Sequence, residues 1–574
     1  MSITKIRLSL GAAAAGASLA LAGAASAVAA YPAAAAVTPP VLGHWAKAAA
    51  VPGLSALTGS SSTVSAVSCA PSADCAIGGT YDDKLGNPQA WVASGHAGTW
   101  ANAIALPGSI TTNGGHSEIN SVSCATGNYC VAVGETSTDQ FSDRATLAVD
   151  LSGTWQQAML VPGLGMSSSQ ALSVSCPSVG NCTVAGWYQD ANNARQPFVE
   201  DEVNGSWGFF QLLGSFSQLN TGQFAGLNSV SCESPGNCTA TGEYATLGGT
   251  PHAFLVAEVS GTWHLPGPLI FLLPPSTGRA VSCPASGNCE LTGTETDVNG
   301  HIQAYAQQTN SGGQEAIQRL TSSTALNVGG TALTNSVSCA SDGNCVVVGH
   351  YTDATGRWQP FFAEEKDGTW QDSSTVPGIA ALDAGHFSDL QSVSCASAGN
   401  CAALGLYTDA NGNGQAFTTD EVNGVWGSAA KLPGLSNQGH FSPQSAVSCW
   451  SAGNCVMGGV ILTPTALQAI VSVESPAAAA TLATNTATVK FGQEQSAMLA
   501  IRVKPETGGT PAGEVTIKAG TTTLAVVTLK HGKATWTFPA KKLRPGTYQL
   551  TGTYASSNGY DPVTSAKQKF VVTR

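Results

Sequence analysis

Ser392-Val393-Ser394-Cys395, then Ala396-Ser397-Ala398-Gly399-Asn400-Cys401, is one copy of a unit that recurs eight times in 574 residues. Each copy has a Ser-rich, β-branched run ending in Cys, five residues most often containing Gly and Asn, and a second Cys opening an apolar run. The pairs are Cys69 and Cys75, Cys124 and Cys130, Cys176 and Cys182, Cys232 and Cys238, Cys283 and Cys289, Cys339 and Cys345, Cys395 and Cys401, and Cys449 and Cys455. They use all 16 cysteines at one spacing. Successive first cysteines lie 55, 52, 56, 51, 56, 56 and 54 residues apart. A period near fifty with strand-like patterning points to propeller blades rather than helical solenoids.

The strand grammar supports this. Ser392 to Cys395 reads as a strand, Ala396 to Asn400 as a turn and Cys401 to Tyr407 as a second strand. After Asp409 to Gly414 comes a third strand, Gln415 to Asp420, then an Asn423-Gly424 turn and a fourth strand opened by Trp426. The third repeat gives the same order: Ser173 to Cys176, Cys182 to Tyr188, Gln196 to Glu200, then Asn204-Gly205-Ser206-Trp207. Gly, Asn and Pro fall where hairpin turns need them. Four strands per unit make one blade. Within the first strand, Val393 and Cys395 share one face and Ser392 and Ser394 the other. Neither face is charged, as expected when neighbouring blades cover both.

The ends of the array predict closure. Gly43-His44-Trp45 and Val51-Pro52-Gly53-Leu54 match the fourth strand at Gly153-Thr154-Trp155 and Val161-Pro162-Gly163-Leu164, yet they precede the first Cys pair. After the eighth pair no Gly-x-Trp strand follows. A spare strand at the start and a missing one at the end predict an eight-bladed ring over 42–474, closed by the N-terminal strand.

Residues 1–30 read as a signal peptide: Lys5 and Arg7, an uncharged apolar run from Leu8 to Ala25, then small residues for cleavage. Residues 31–41 form an Ala/Pro-rich linker. Without a second long apolar run, no membrane span is expected after cleavage. The expected location is secreted or extracellular, with attachment to the cell surface as an extension. Oxidising compartments favour disulfides. The five-residue spacing, without recurring His, argues for eight local bridges and against zinc.

Residues 475–484 read as a linker. Beyond it, seven alternating runs, from Ala487 to Phe491 through Lys567 to Thr573, predict an Ig-like sandwich over 485–574. Gly513-Glu514-Val515-Thr516-Ile517, Gly532-Lys533-Ala534 and Gly546-Thr547-Tyr548 to Tyr554 resemble bacterial Ig-like domains of secreted and surface proteins. That resemblance implies a spacer or adhesion module without catalytic residues. The Ser-Val-Ser-Cys and Gly-Asn-Cys units resemble repeats of secreted bacterial proteins. Gly261-Thr262-Trp263 and Gly368-Thr369-Trp370 are similar to the Asp-box turn of sialidase-type propellers, although the Ser-x-Asp start is mostly absent.

Candidate binding residues sit in the loops between second and third strands. Tyr188 and Asp190, Tyr351 and Asp353, and Tyr407 and Asp409 form a repeated Tyr-x-Asp pattern able to hold a glycan or a protein loop. The competing interpretation is that Asp and Gly merely form tight turns. Asp409-x-Asn411-x-Asn413-Gly414 is similar to the start of a calcium loop but lacks the closing acid. No metal or cofactor is expected. Arg144, Arg195 and Arg357 fall in the same loops, on one shared rim. A sialidase-like site would need converging arginines with a Tyr and acids, and nothing else matches it. No catalytic residue is assigned. Trp207, Trp263 and Trp426 read as blade packing.

Charge divides the chain. Residues 485–574 carry 12 Lys or Arg against 4 Asp or Glu, whereas 31–484 carry 9 against 31. The acidic array should repel nucleic acid. The basic tail suits anionic cell-envelope polymers. The sequence thus predicts a non-catalytic binding or scaffold protein for a glycan or protein ligand. The alternatives are an extracellular glycan hydrolase of sialidase-like propeller type and a purely structural surface protein.

Overall fold

The computed structural model describes residues 43–574 except 110–114, 138–142, 165–167, 214–215, 265–266, 269–271, 285–287, 311–312, 315–316, 321–325, 436–439, 442–444, 476–477, 506–510 and 557–562. The signal segment 1–30 and the linker 31–41 therefore lie outside the described residues. Among those described, the chain is all-β apart from one helical turn, Phe216–Leu219, and three 3-10 turns. No described helix is long and apolar enough to cross a membrane. Its many antiparallel sheets are consistent with a propeller.

Eight sheets follow the eight Cys pairs. The seventh is typical: Ser388–Ser397, Asn400–Thr408 and Gly414–Val422 pair in order, and Val425–Trp426 with Ala430–Lys431 completes the outer edge. Six of the outer turns have two successive residues of positive φ, as at Asn423 and Gly424 (52° and 80°) or Asn204 and Gly205 (52° and 81°). That is the hairpin geometry for which Asn-Gly is favoured.

All eight cysteine couples are bridged locally, with Cα atoms 3.9–4.2 Å apart. The loop inside the bridge is tighter than the spacing implied. Cys395 faces Cys401 and Ser397 faces Asn400, leaving a two-residue turn, with Ala396 bulged between the two pairs. Asn400 Oδ1 accepts from the Asn423 amide at 3.2 Å, and the Gly399 carbonyl accepts from the Gly424 amide at 2.9 Å. The Gly-Asn-Cys motif thereby fastens the first hairpin of a sheet to its second. A β-carbon on Gly399 would press on the Gly424 amide.

The serines join one sheet to the next. Ser394 Oγ accepts from the Cys449 amide, Ser338 from Cys395, Ser282 from Cys339, Ser231 from Cys283, Ser175 from Cys232, Ser123 from Cys176 and Ser68 from Cys124, all at 2.9–3.0 Å. Ser448 of the eighth sheet accepts from Cys69 of the first at 2.9 Å. At the chain's beginning, His44 and Trp45 pair with Ser475 and Glu474, and Ala49 and Ala50 with Val471 and Ile470. The last sheet thus includes two short strands from the start of the described residues.

A second repeated device sits in mid-sheet. The first strand bulges between Thr334 and Ser336, and the Leu333 carbonyl presses toward Gly349 of the second strand. Any β-carbon there would overlap that oxygen. The fully buried ring of Phe361 lies opposite, on the third strand. Gly79 with Trp91, Gly186 with Phe198, Gly242 with Phe254, Gly293 with Tyr305 and Gly405 with Phe417 repeat the pair.

Near the disulfides the third strand carries acids: Asp150, Glu202, Glu258, Glu421 and Glu474 each face the second cysteine of their sheet or its N-terminal strand. Burial, with the neighbouring Asp201, pushes Glu258 up to about 7. Burial, with the facing Glu364, pushes Glu421 up to about 8. Tryptophans of the outer strands reach this layer across the sheet boundary: Trp263 Nε1 donates to Asp201 at 2.9 Å and Trp45 Nε1 to Asp420 at 3.4 Å. The packing role expected of Trp263 follows from that bond.

The C-terminal residues form two further sheets around one core that includes Leu499, Ile517, Phe538, Tyr554 and Phe570. All seven expected strands are present there. The run read as a linker, 475–484, is largely strand instead: Ala478–Thr484 pairs with Met498–Pro505 and buries Leu482. Its alternating small residues looked like a spacer because only one bulky side chain marks the inner face.

Two outcomes follow. Gly349→Ala should lower stability by about 3 kcal/mol or more, since backbone has to move. Ser338→Ala, which strands one buried amide, should cost about 1–3 kcal/mol in urea denaturation. The acids give a pH dependence. Their folded pKa values lie above the unfolded ones, so the folded state holds more protons between about pH 4.5 and 8. The stabilisation these acids give is fullest at the low-pH end of that window and falls as pH rises through it. A thermal midpoint that climbs from pH 5 to pH 8 contradicts this.

Candidate functional site

The two ends of the sheets differ. At the disulfide end five repeats share one turn, in which Ser178, Ser234, Ser341, Ser397 or Ser451 faces Asn181, Asn237, Asn344, Asn400 or Asn454. At the opposite end, where second and third strands are joined, the repeats diverge. Five residues after the second cysteine stand Thr80, Glu135, Trp187, Glu243, Thr294, His350, Leu406 and Val460. Their first-strand partners include Glu118, Gln170, Gly226, Thr277, Leu333 and Asp389.

The three Tyr-x-Asp pairs lie at this end, in the third, sixth and seventh sheets. Asp190 Oδ1 accepts from the amides of Asn192 and Ala194 at 2.8 and 3.0 Å. Asp353 accepts from Thr355 and Arg357, and Asp409 from Asn411 and Asn413, in the same i+2 and i+4 pattern. Asp83 and Asp297, which lie outside the quoted pattern, do likewise. At Asp353, burial raises the carboxyl's pKa, but the Thr355 and Arg357 bonds outweigh it and hold the group below its usual range. At Asp409 the Asn413 amide is the largest influence, also downward. Tyr351 and Tyr407 are buried; Tyr188 is half-buried against Phe210, with ring centroids 5.5 Å apart. These carboxylates organise turns, and these rings pack into the sheets.

The shared rim of arginines is present in position: Arg144 and Arg195 open third strands, and Arg357 immediately precedes one. Arg195 lies 3.5 Å above the Trp187 ring and 4.9 Å from that of Phe224. Trp187 in turn donates to Gln170 at 3.1 Å. Around the same rim, His350 Nδ1 is 3.1 Å from Asp389 and stacks on Trp358 at 3.9 Å.

The second sheet has a denser group. His116 Nε2 is 3.1 Å from Asp143 Oδ1 and 3.8 Å from Glu135 Oε1, and Glu118 faces Glu135 in the strand register. Burial, with Glu118 and Asp143 nearby, pushes Glu135 up to about 8. Burial likewise raises Glu118. Beside this group opens a cavity of about 710 Å³ spanning the eighth, first and second sheets. Thr63, Ser65, Thr80, Asp82, Glu118 and Asn120 contribute to its walls. Hydroxyls, an amide and carboxyls at such a mouth suit a polyhydroxylated or otherwise polar ligand.

The Tyr-x-Asp pattern did not lead to this cavity. His116, Glu118, Glu135 and Asp143 were visible only as singletons. Aligning the eight repeats and asking where they disagree would have exposed Glu118 and Glu135.

Asp353→Ala should cost about 1–2 kcal/mol through its lost turn bonds. It should leave any ligand affinity of the 710 Å³ cavity unchanged. Denaturation and binding measured on the same variant separate the two effects.

Comparison with known proteins gives the following. Residues 481–573 match the model of the bacterial Ig-like domain (group 3) family. No curated protein matches the chain. Among solved structures, a GH74 xyloglucanase from Xanthomonas campestris is similar at 8% identity and TM-score 0.36, over 91% of this chain and 93% of that one. A PL25 ulvan lyase is similar at 10% identity and TM-score 0.35, over 72% and 96%. A Hadza microbial sialidase is similar at 11% identity and TM-score 0.32, over 58% and 74%. The C-terminal residues 481–573 are a bacterial Ig-like domain.

Proposed function

We propose that the chain is a closed eight-bladed propeller, working outside the cytoplasm, that binds a glycan non-catalytically on the face carrying the loops between second and third strands. The carrying observation is the contrast between the two ends of the sheets. One repeats the same turn in five of the sheets; the other is varied and opens into a polar cavity of about 710 Å³. Side chains that only had to hold sheets together would not need to differ from repeat to repeat. The hydroxyl-rich wall favours sugar over an apolar protein loop.

The Ig-like domain serves in this reading as spacer and tether. Its excess of 12 basic over 4 acidic residues attracts anionic envelope polymers, while the acidic array stays displayed. Attraction of this kind weakens with salt.

A glycan array probed with the purified chain, followed by product analysis on every hit, tests the proposal. Retained, uncleaved sugar is the expected result, with affinity lowered about tenfold or more in Glu118→Gln, a loss of about 1.4 kcal/mol. Release of cleaved product would establish the hydrolase alternative, and a blank array would leave a structural protein. Envelope preparations should retain the chain at low salt and release it at about 0.5 M salt.

A further inference from the structure

We propose that His116, Glu135 and Asp143 form a binding site for a divalent zinc-like cation at the edge of the second sheet, a role beyond glycan binding and independent of it. One ligand atom from each residue lies within 4.8 Å of the other two. The closest pair, His116 Nε2 and Asp143 Oδ1, is 3.1 Å apart, and His116 Nε2 to Glu135 Oε1 is 3.8 Å. Zinc bonds to imidazole nitrogen and carboxylate oxygen at about 2.0–2.2 Å, which puts two ligands of a tetrahedral ion about 3.4 Å apart. The observed separations bracket that value.

An ion pair between His116 and Asp143 alone would explain two of these residues but not the third. Glu135 is 4% exposed, and its Oε2 atom has no hydrogen-bond partner. A buried carboxylate oxygen left unpaired is costly. Glu118 stands opposite it, and side-chain hydrogen bonds link Glu135 to Glu118 and Gln170, yet neither occupies Oε2. Arg195 influences Glu135 through space, but its guanidinium is engaged on the Trp187 ring. A cation held by Glu135 together with His116 and Asp143 would draw on all three side chains, which the ion pair alone does not.

The donor set selects the class of ion. Calcium prefers six to eight oxygens and magnesium an octahedral, largely hydrated shell. An imidazole with two carboxylates suits a borderline ion such as zinc, with a remaining position for water or ligand. The His116 and Asp143 side chains are 30% and 33% exposed, so the ion has a route in from solvent.

Calorimetric titration of the purified chain, stripped with chelator and then given zinc chloride or calcium chloride, is the test. One equivalent of zinc is expected, bound at least tenfold more tightly than calcium. His116→Ala and Asp143→Asn should each weaken zinc by tenfold or more, while the metal-free thermal midpoint stays near that of the parent, because both side chains are partly exposed. Absence of saturable zinc uptake, or uptake undiminished in His116→Ala, overturns the proposal. A raised thermal midpoint with zinc that His116→Ala abolishes supports it without any knowledge of the physiological ligand.

Discussion

The hydrogen bond from a cysteine amide to the serine hydroxyl of the preceding sheet is the contact on which the rest of the array depends. It recurs between every neighbouring pair of repeat sheets, including the eighth and the first. The disulfide fixes the first hairpin of each sheet, and the serine beside it fixes that hairpin to its neighbour. A covalent clip and a short directional bond are thus set on adjacent residues of one strand. The motif is better understood as a joint than as a staple, because half of it acts between sheets.

Such joints let the array keep a modest apolar core. Six sheets place one aromatic side chain opposite a second-strand glycine, and much of the remaining interior is Val, Ala and small polar residues. The carboxyl layer by the disulfides fits the same economy. It fills space between sheets with groups that hydrogen-bond while protonated, at the expense of a fold that prefers acid. Uniformity at that end also frees the other. Once position is guaranteed by the joints, residues such as Glu135, Trp187 and His350 can differ without loss of architecture.

Much of this was legible in the sequence because it repeats. The cysteine spacing and the Asn-Gly-x-Trp turns each carry a local physical meaning, and each is found in place. The alternation of Ser with Val and Cys correctly marked two covered faces, although the inter-sheet bond itself needed coordinates. One feature was misjudged and another was left open between two readings. Ala478–Thr484 looks featureless because a strand facing a small-residue surface needs few bulky side chains. Asp190, Asp353 and Asp409 allowed two readings, ligand contact or turn formation, and their hydrogen bonds are those of turns. The polar cavity escaped notice for a different reason. Its walls come from three sheets, two at the start of the chain and one near residue 467, and each contributes unremarkable Ser, Thr or Glu.

The pairing of His44 and Trp45 with Glu474 and Ser475 also has a consequence for the order of assembly. A hydrogen bond such as Ser472 to Ala46 spans 426 residues, so it forms only after nearly the whole array has been made. The first seven sheets can complete from local pieces as the chain emerges, a rapid, low-entropy process. The eighth waits with an open border until His44–Trp45 and Ala49–Ala50 pair with it. Until those strands dock, the chain exposes an edge that invites pairing with another copy.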